Sequence, residues 1–149
     1  MSLKKIYKLK QEGLKIGFTA SSFDLLHPGH LSMLAECKLN CDYLIVGLLT
    51  DATISRPLEK LKPLQTSFER WIQISSLEYI DMIIPFDTEQ DLENMLHIIL
   101  PHIRFVGEEY RNKEHTGKNI KEIEIFYNRR SHSYSSSELK NRIEKLKIH

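Results

Sequence analysis

Short apolar runs alternate with amphipathic stretches along this chain, and the alternation sets the elements to expect. The runs at 14–20, 42–49, 81–86, 102–107 and 122–127 read as five strands. The run at 42–49 is unbroken, as in a parallel strand covered on both faces. Between them, apolar residues recur every three or four positions. A helix over 28–39 carries Leu31, Met33, Leu34 and Cys37 on one face. A second begins at Ser67 with Trp71, Ile74 and Leu77 as its inner face, and a third over 88–100 opens with acidic residues that suit its dipole. The last, over 135–147, presents Leu139, Ile143 and Leu146, and Ser135 with Glu138 forms a candidate capping box. A short helix is expected at Lys118, and Thr50-Asp51 offers a turn and helix cap. Residues 1–13, rich in lysine, read as a solvated N-terminal extension with a helix open to it, and residues 14–149 as one domain. This order predicts a doubly wound α/β domain with a mainly parallel sheet of five strands.

Such a sheet binds ligand beyond the carboxyl ends of its strands, at the topological switch point. The loops expected there are 20–30, 50–66, 107–117 and 128–136, which lack any hydrophobic period. They carry Lys60, Lys62, Arg111, Lys113, Arg129 and Arg130, a set of cations suited to a polyphosphate. The first of these loops is the most informative. Ser21 to His30 joins a strand to a helix start, where unpaired N–H groups and the dipole face an anion. Pro28 suits the first helical turn and Gly29 allows close approach to the backbone. His27 and His30 fall on one face of that turn and can donate to phosphate oxygens; no third ligand for a metal stands near them.

Composition narrows the class without changing it. Lysine and arginine number 21 against 20 acidic residues, so no overall field draws nucleic acid or a membrane. Cys37 and Cys41 are the only cysteines and read as buried free thiols. No apolar run reaches the roughly 18 residues of a membrane span, and no signal-peptide pattern appears, so a cytoplasmic enzyme is expected.

Phe23-Asp24-Leu25-Leu26-His27-Pro28-Gly29-His30 resembles the signature of the cytidylyltransferase-like nucleotidyltransferases. Ser22 keeps the hydroxyl that precedes this run in the family, and Ser21 stands where glycine is usual. Their second signature is similar to Arg130-Ser131-His132-Ser133-Tyr134-Ser135-Ser136-Ser137, with Ser133 in place of glycine and Tyr134 in place of an aliphatic residue. Gly107-Glu108-Glu109-Tyr110-Arg111-Asn112-Lys113 resembles the family's glycine-acid-acid-aromatic run ending in lysine. Arg70 matches a family arginine, Asp81 an aspartate of structural or dimer-contact role, and Glu78 stands where a second arginine is usual.

The resemblance implies a Rossmann-like nucleotidyltransferase fold and transfer of CMP from CTP to a phosphorylated alcohol such as glycerol 3-phosphate, with Mg²⁺ on the phosphates and pyrophosphate released. It implies catalytic roles for His27, His30, a basic-loop lysine and Arg130. Lys62, just before Pro63, is favoured as that lysine, and Lys60 also qualifies. The implied nucleotide ligands are Ser22, Phe23, Lys60, Arg70, Gly107 and Glu108, and beyond them Tyr110, Lys113, Ser131, Ser135 and Ser136. A homodimer is implied as well. Two alternatives stand beside this reading: adenylyl transfer to a phosphorylated sugar or cofactor precursor, and a non-catalytic nucleotide-binding module, to which Ser21, Ser133 and Glu78 point.

Overall fold

The computed structural model describes residues 3–130 and 132–147; Ser131, one of the expected nucleotide ligands, lies outside the described residues. The chain runs α1 (Leu3–Gln11), β1 (Ile16–Ser21), α2 (Pro28–Leu39), β2 (Tyr43–Leu49), α3 (Ser67–Ser75) and β3 (Met82–Phe86). It continues through α4 (Glu89–Ile99), β4 (Ile103–Gly107), a 3₁₀ turn (Glu108–Tyr110), β5 (Glu124–Asn128) and α5 (Ser136–Lys145). The five strands form one sheet in the order β3-β2-β1-β4-β5, and every neighbouring pair is parallel. The chain winds outward from β1 through β2 to β3, then crosses back to β4. The switch point therefore lies between the carboxyl ends of β1 and β4.

All seven residues of β2 are buried, as its unbroken apolar run requires. One core cluster lies on the face shared by α1 and α4, around Ile6, Phe18, Leu96 and Ile123. The other lies under α2 and α3, around Phe23, Leu34, Leu44 and Ile74. Pro85 sits exposed on edge strand β3, where a missing donor is tolerated. Asp81 accepts from the Lys38 ammonium and the Leu44 amide, which is the structural role open to it. Among the described residues no helix is long and apolar enough to cross a membrane.

Four local expectations need correction. The N-terminal segment, helical over Leu3–Gln11, is not simply solvated: it buries Ile6 and extends the Lys10 ammonium to the Ile99 and Leu100 carbonyls at the end of α4. Residues 116–119 form turns instead of a helix. Asp51 caps a turn, accepting from the Thr53 amide and hydroxyl, and no helix follows it. In α3 the inward position next to Ile74 belongs to Arg70, 1% exposed, while Trp71 is 44% exposed.

Candidate active site

The chain leaves β1 through a turn with two left-handed residues that are not glycine, Phe23 at φ 50° and Leu25 at φ 53°. Such a conformation persists only where its surroundings hold it. Arg70 supplies part of that hold. Its Nε donates to the Gln65 carbonyl, its Nη1 to the Ser22 and Leu49 carbonyls, and its Nη2 to the Thr50 carbonyl and the Ser67 hydroxyl. All five N–H groups are thus engaged within the protein. Arg70 clamps the ends of β1 and β2 to α3, and unlike Ser22 it is not among the residues lining the crevice at the switch point.

Asp24 holds the turn from the other side. Its carboxylate accepts from the Leu64 and Gln65 amides at 2.9 and 3.0 Å and pairs with the Lys140 ammonium at 3.0 Å. Burial alone would raise its pKa; the two amides and Lys140 outweigh that and leave it below the ordinary carboxylate value. The Gln65 side chain accepts from the Leu25 amide, and the Ser136 hydroxyl donates to the Asp24 carbonyl. The turn, the basic loop and the start of α5 are therefore tied at one place.

The orientation of both imidazoles follows from two backbone bonds. His27 is the N-cap of α2, and its Nδ1 accepts from the Gly29 amide at 3.0 Å. The His30 Nδ1 accepts from the His27 amide at 3.2 Å. A ring nitrogen that accepts an N–H carries a lone pair, so each neutral ring holds its proton on Nε2. The rings stack with centroids 3.8 Å apart, and both line the crevice at the switch point. Burial, followed by electrostatic repulsion from the neighbouring His132 and Arg130, lowers the pKa of His27. Burial, followed by the charge of His27, lowers that of His30 to about 3. At neutral pH the site thus presents two uncharged N–H donors beside the amino end of α2.

Gly29 belongs to this arrangement, because a Cβ there would lie 2.7 Å from the His132 ring and 2.8 Å from that of His27. The Ser135 hydroxyl accepts from the Glu138 amide at 3.0 Å and caps α5, whose amino end meets the same crevice. Arg130 lines the wall and reaches the Tyr134 carbonyl and Glu109 at 3.3 and 3.9 Å.

The crevice encloses about 630 Å³. Of the expected site residues it gathers Ser22, His27, His30 and Lys60, then Gly107, Tyr110 and Arg130, and lastly Ser135 and Ser136. Lys62, Glu108 and Lys113 are outside its lining, and Phe23 is fully buried beneath the His30 ring at 5.3 Å between centroids. Lys60 and not the favoured Lys62 is the basic-loop lysine on the wall. Glu108 is engaged by Arg111 in a two-pronged contact at 2.7 and 2.8 Å. Glu78 is exposed and outside the crevice.

The crevice continues under the switch point onto the α4 face. There Arg104, His115, Thr116 and Glu89 line it, with Arg56 from the basic loop. The His115 Nδ1 lies 3.4 Å from the Arg104 Nη1 and its Nε2 3.2 Å from the Tyr127 hydroxyl; the Thr116 hydroxyl donates to Glu89 at 2.6 Å. Sequence reasoning did not single out Arg104, His115 or His132. For Arg104 a signal existed: a lone cation inside the apolar run 102–107. Among the described residues no group of three or more His, Cys, Asp or Glu side chains could hold a metal ion.

The model of the cytidylyltransferase-like family matches residues 18–142. The chain belongs to the cytidylyltransferase-like family. Its curated relatives include the bifunctional protein HldE of Caulobacter sp. strain K31, 39% identical over 111 residues, which are 74% of this chain and 22% of that protein. HldE of Wolinella succinogenes is 37% identical over 126 residues, 83% of this chain and 26% of that protein. The cytidylyltransferase-like chain thus spans only about a quarter of these relatives. Among solved structures, the lipopolysaccharide core biosynthesis protein of Thermoplasma volcanium GSS1 superposes with a TM-score of 0.57 at 25% identity, over 90% of this chain and 89% of that one. Pantothenate synthetase of Thermus thermophilus reaches 0.57 at 11% identity, over 86% and 60%, and shares the fold. The Rossmann-like nucleotidyltransferase fold expected from the two motifs is the fold of this chain.

Proposed function

We propose that this protein is a nucleotidyltransferase that joins a nucleoside monophosphate to a phosphorylated sugar and releases pyrophosphate. The observation that carries the reading is the pair of imidazoles locked by backbone amides as neutral Nε2–H donors in one crevice with Arg130 and the amino end of α5. In the reaction, an acceptor phosphate oxygen forms a bond to the α-phosphorus while the bond to the bridging oxygen breaks. The charge that develops on the bridging and equatorial oxygens is what fixed donors stabilise most. Neither ring suits the role of base, because a second proton would have to displace a backbone amide from Nδ1. None is needed: a phosphate monoester has a second pKa of about 6 and is largely a dianion at neutral pH.

The relatives bear on the acceptor. The T. volcanium protein is one of lipopolysaccharide core biosynthesis; such a core is an oligosaccharide, and nucleotide-activated sugars arise by this chemistry. This kinship and that with HldE sit closer to adenylyl transfer onto a phosphorylated sugar than to CMP transfer onto glycerol 3-phosphate. ATP is accordingly the donor to test first, and CTP the second. Mg²⁺ fits as a companion of the triphosphate, held by phosphate oxygens and water, since it binds commonly without an all-protein cage. A homodimer is proposed too: Leu58, Leu61 and Phe68 are exposed along the basic loop and the start of α3, beside edge strand β3.

The test is pyrophosphate release from ATP and from CTP, each with hexose 1-phosphates and with glycerol 3-phosphate. Release from ATP with a sugar phosphate supports the reading. Release only from CTP with glycerol 3-phosphate returns the protein to the reaction implied by its motifs. Tight nucleotide binding with no release in any pairing would make it a binding module.

A further inference from the structure

Arg104 is a buried cation that, among the described residues, has no carboxylate in direct contact. It is 6% exposed, and among the described residues no carboxylate oxygen lies within 4.0 Å of its guanidinium. Among the described residues its Nε is buried with no hydrogen-bond partner, and Nη1 has only the long contact to His115 at 3.4 Å. The nearby acids are engaged elsewhere: Glu89 accepts from Thr116 and faces Arg56 at 3.7 Å, and Glu93 pairs with His97 at 3.1 Å. A charge left in this state weighs against folding unless a ligand completes it. Burial lowers the Arg104 pKa to about 10, so the group is still charged at neutral pH.

Position decides what such a ligand is. Arg104 lines the same crevice as the histidines but on the α4 face. It precedes Gly107, at the mouth of the switch point, by three strand residues, roughly 10 Å. A molecule long enough to fill the crevice would set one end at Arg104 and the other at the histidines. Gly117, at φ +81°, borders this end of the crevice: a Cβ there would lie 2.5 Å from Leu96 Cδ1 and 3.0 Å from the Arg104 Nη1. Arg56, whose Nε is likewise buried without a partner among the described residues, lines the same crevice.

We propose that the α4 end of the crevice is an oxyanion subsite, and that the acceptor carries a second anionic group, a carboxylate or a phosphate, distal to the phosphate that reacts. Arg104 receives that group through its unpartnered Nε edge, with Arg56 beside it. The preferred acceptor is then a phosphorylated sugar acid or a sugar bisphosphate. This deepens the reading above and rests on a phosphorylated acceptor entering this crevice.

Three probes test it by calorimetry and thermal unfolding on the full chain: glucose 1-phosphate, glucuronic acid 1-phosphate and glucose 1,6-bisphosphate. The wild type should bind at least one of the two doubly anionic probes about tenfold or more tighter than glucose 1-phosphate, and the better of the two identifies the anion. Arg104→Met should bring the three to equal affinity, leave the Kd for ATP and CTP unchanged, and melt no lower than the wild type. Arg104→Lys should restore part of the preference. Equal binding of all three probes by the wild type overturns the proposal, as does a preference that survives Arg104→Met. A variant that melts lower and loses nucleotide and probe affinity together would make Arg104 structural, and would also overturn it. If neither nucleotide binds the wild type while the Arg104-dependent preference stands, the nucleotidyl reading fails and the subsite remains. Nucleotide transfer with no such preference has the opposite meaning.

Discussion

Replacing His30 by asparagine separates the two edges of one ring. The asparagine side-chain oxygen can occupy the place of Nδ1 and accept from the His27 amide, which His30 now does at 3.2 Å. It cannot reach where Nε2–H points. Glutamine does the reverse, supplying a donor near the Nε2 position and leaving the amide without its partner. If the ring acts through a neutral Nε2–H on developing charge, His30→Asn should lower kcat about 10²- to 10³-fold, the loss of roughly 3–4 kcal/mol of transition-state stabilisation typical of one fixed donor. Folding should survive, because the amide at the N-cap of α2 stays satisfied. His30→Gln should retain more turnover and less stability than His30→Asn. The assay is pyrophosphate release at saturating nucleotide and acceptor, read beside urea unfolding of each variant. Wild-type kcat in His30→Asn would refute the reasoning. So would a loss confined to nucleotide KM, since that marks a group binding ground state and transition state alike.

Arg70→Met removes five donors from the carbonyls of Gln65, Ser22, Leu49 and Thr50 and the Ser67 hydroxyl, and should destabilise the protein by about 3 kcal/mol or more in urea. A loss under about 1 kcal/mol together with weakened nucleotide binding would return Arg70 to the ligands. His30 has a folded pKa of about 3 against 6.5 when free, so below pH 6.5 the unfolded state takes up the proton first and stability falls with pH. Between pH 7 and pH 5 the wild type should lose about 1–2 kcal/mol more than His30→Asn, after allowance for partial exposure; parallel unfolding curves would contradict this. Lys60→Ala should cut kcat/KM well beyond Lys62→Ala, because only Lys60 lines the crevice; equal mild losses would make the loop a solvated connector. Light scattering should give twice the monomer mass, and a monomer at working concentration would count against the proposed dimer.

The strands and the histidine turn were legible because each leaves a local mark. An unbroken apolar run such as 42–49 has few other places to go than a covered strand, and Pro-Gly between two histidines fits a helix start. Arg70 left a misleading mark. Arginine is rarely buried, so periodicity placed Trp71 inside with Ile74, whereas Arg70, one turn before Ile74, takes that position because four carbonyls await it there. Lys60 and Lys62 could not be told apart, since their loop has no regular repeat from which direction can be read. Histidine tautomers were out of reach for a different reason. They depend on which ring nitrogen meets a backbone amide, and that is a property of geometry within one turn.

The turn itself shows how the parts depend on one another. Left-handed φ at Phe23 and Leu25 costs of order 1–3 kcal/mol each for residues with a Cβ. Four attachments oppose relaxation: Arg70 on the Ser22 carbonyl, Gln65 on the Leu25 amide, Ser136 on the Asp24 carbonyl, and the Asp24 carboxylate between the basic loop and Lys140. These come from α3, the basic loop and α5, which are elements far apart in sequence. The bend they hold delivers His27 to the N-cap and His30 three residues on, where backbone amides set both rings. The donor edges are thus oriented before any nucleotide arrives, and little rearrangement is left to the chemical step. The same connections give the basic loop and α5 a common mount on Asp24, at the edge of the crevice that Lys60 and Ser136 line. Strain in the turn and order in the site are in this sense one feature, and a substitution that relaxes the turn should disorder the histidines even where it leaves them in place.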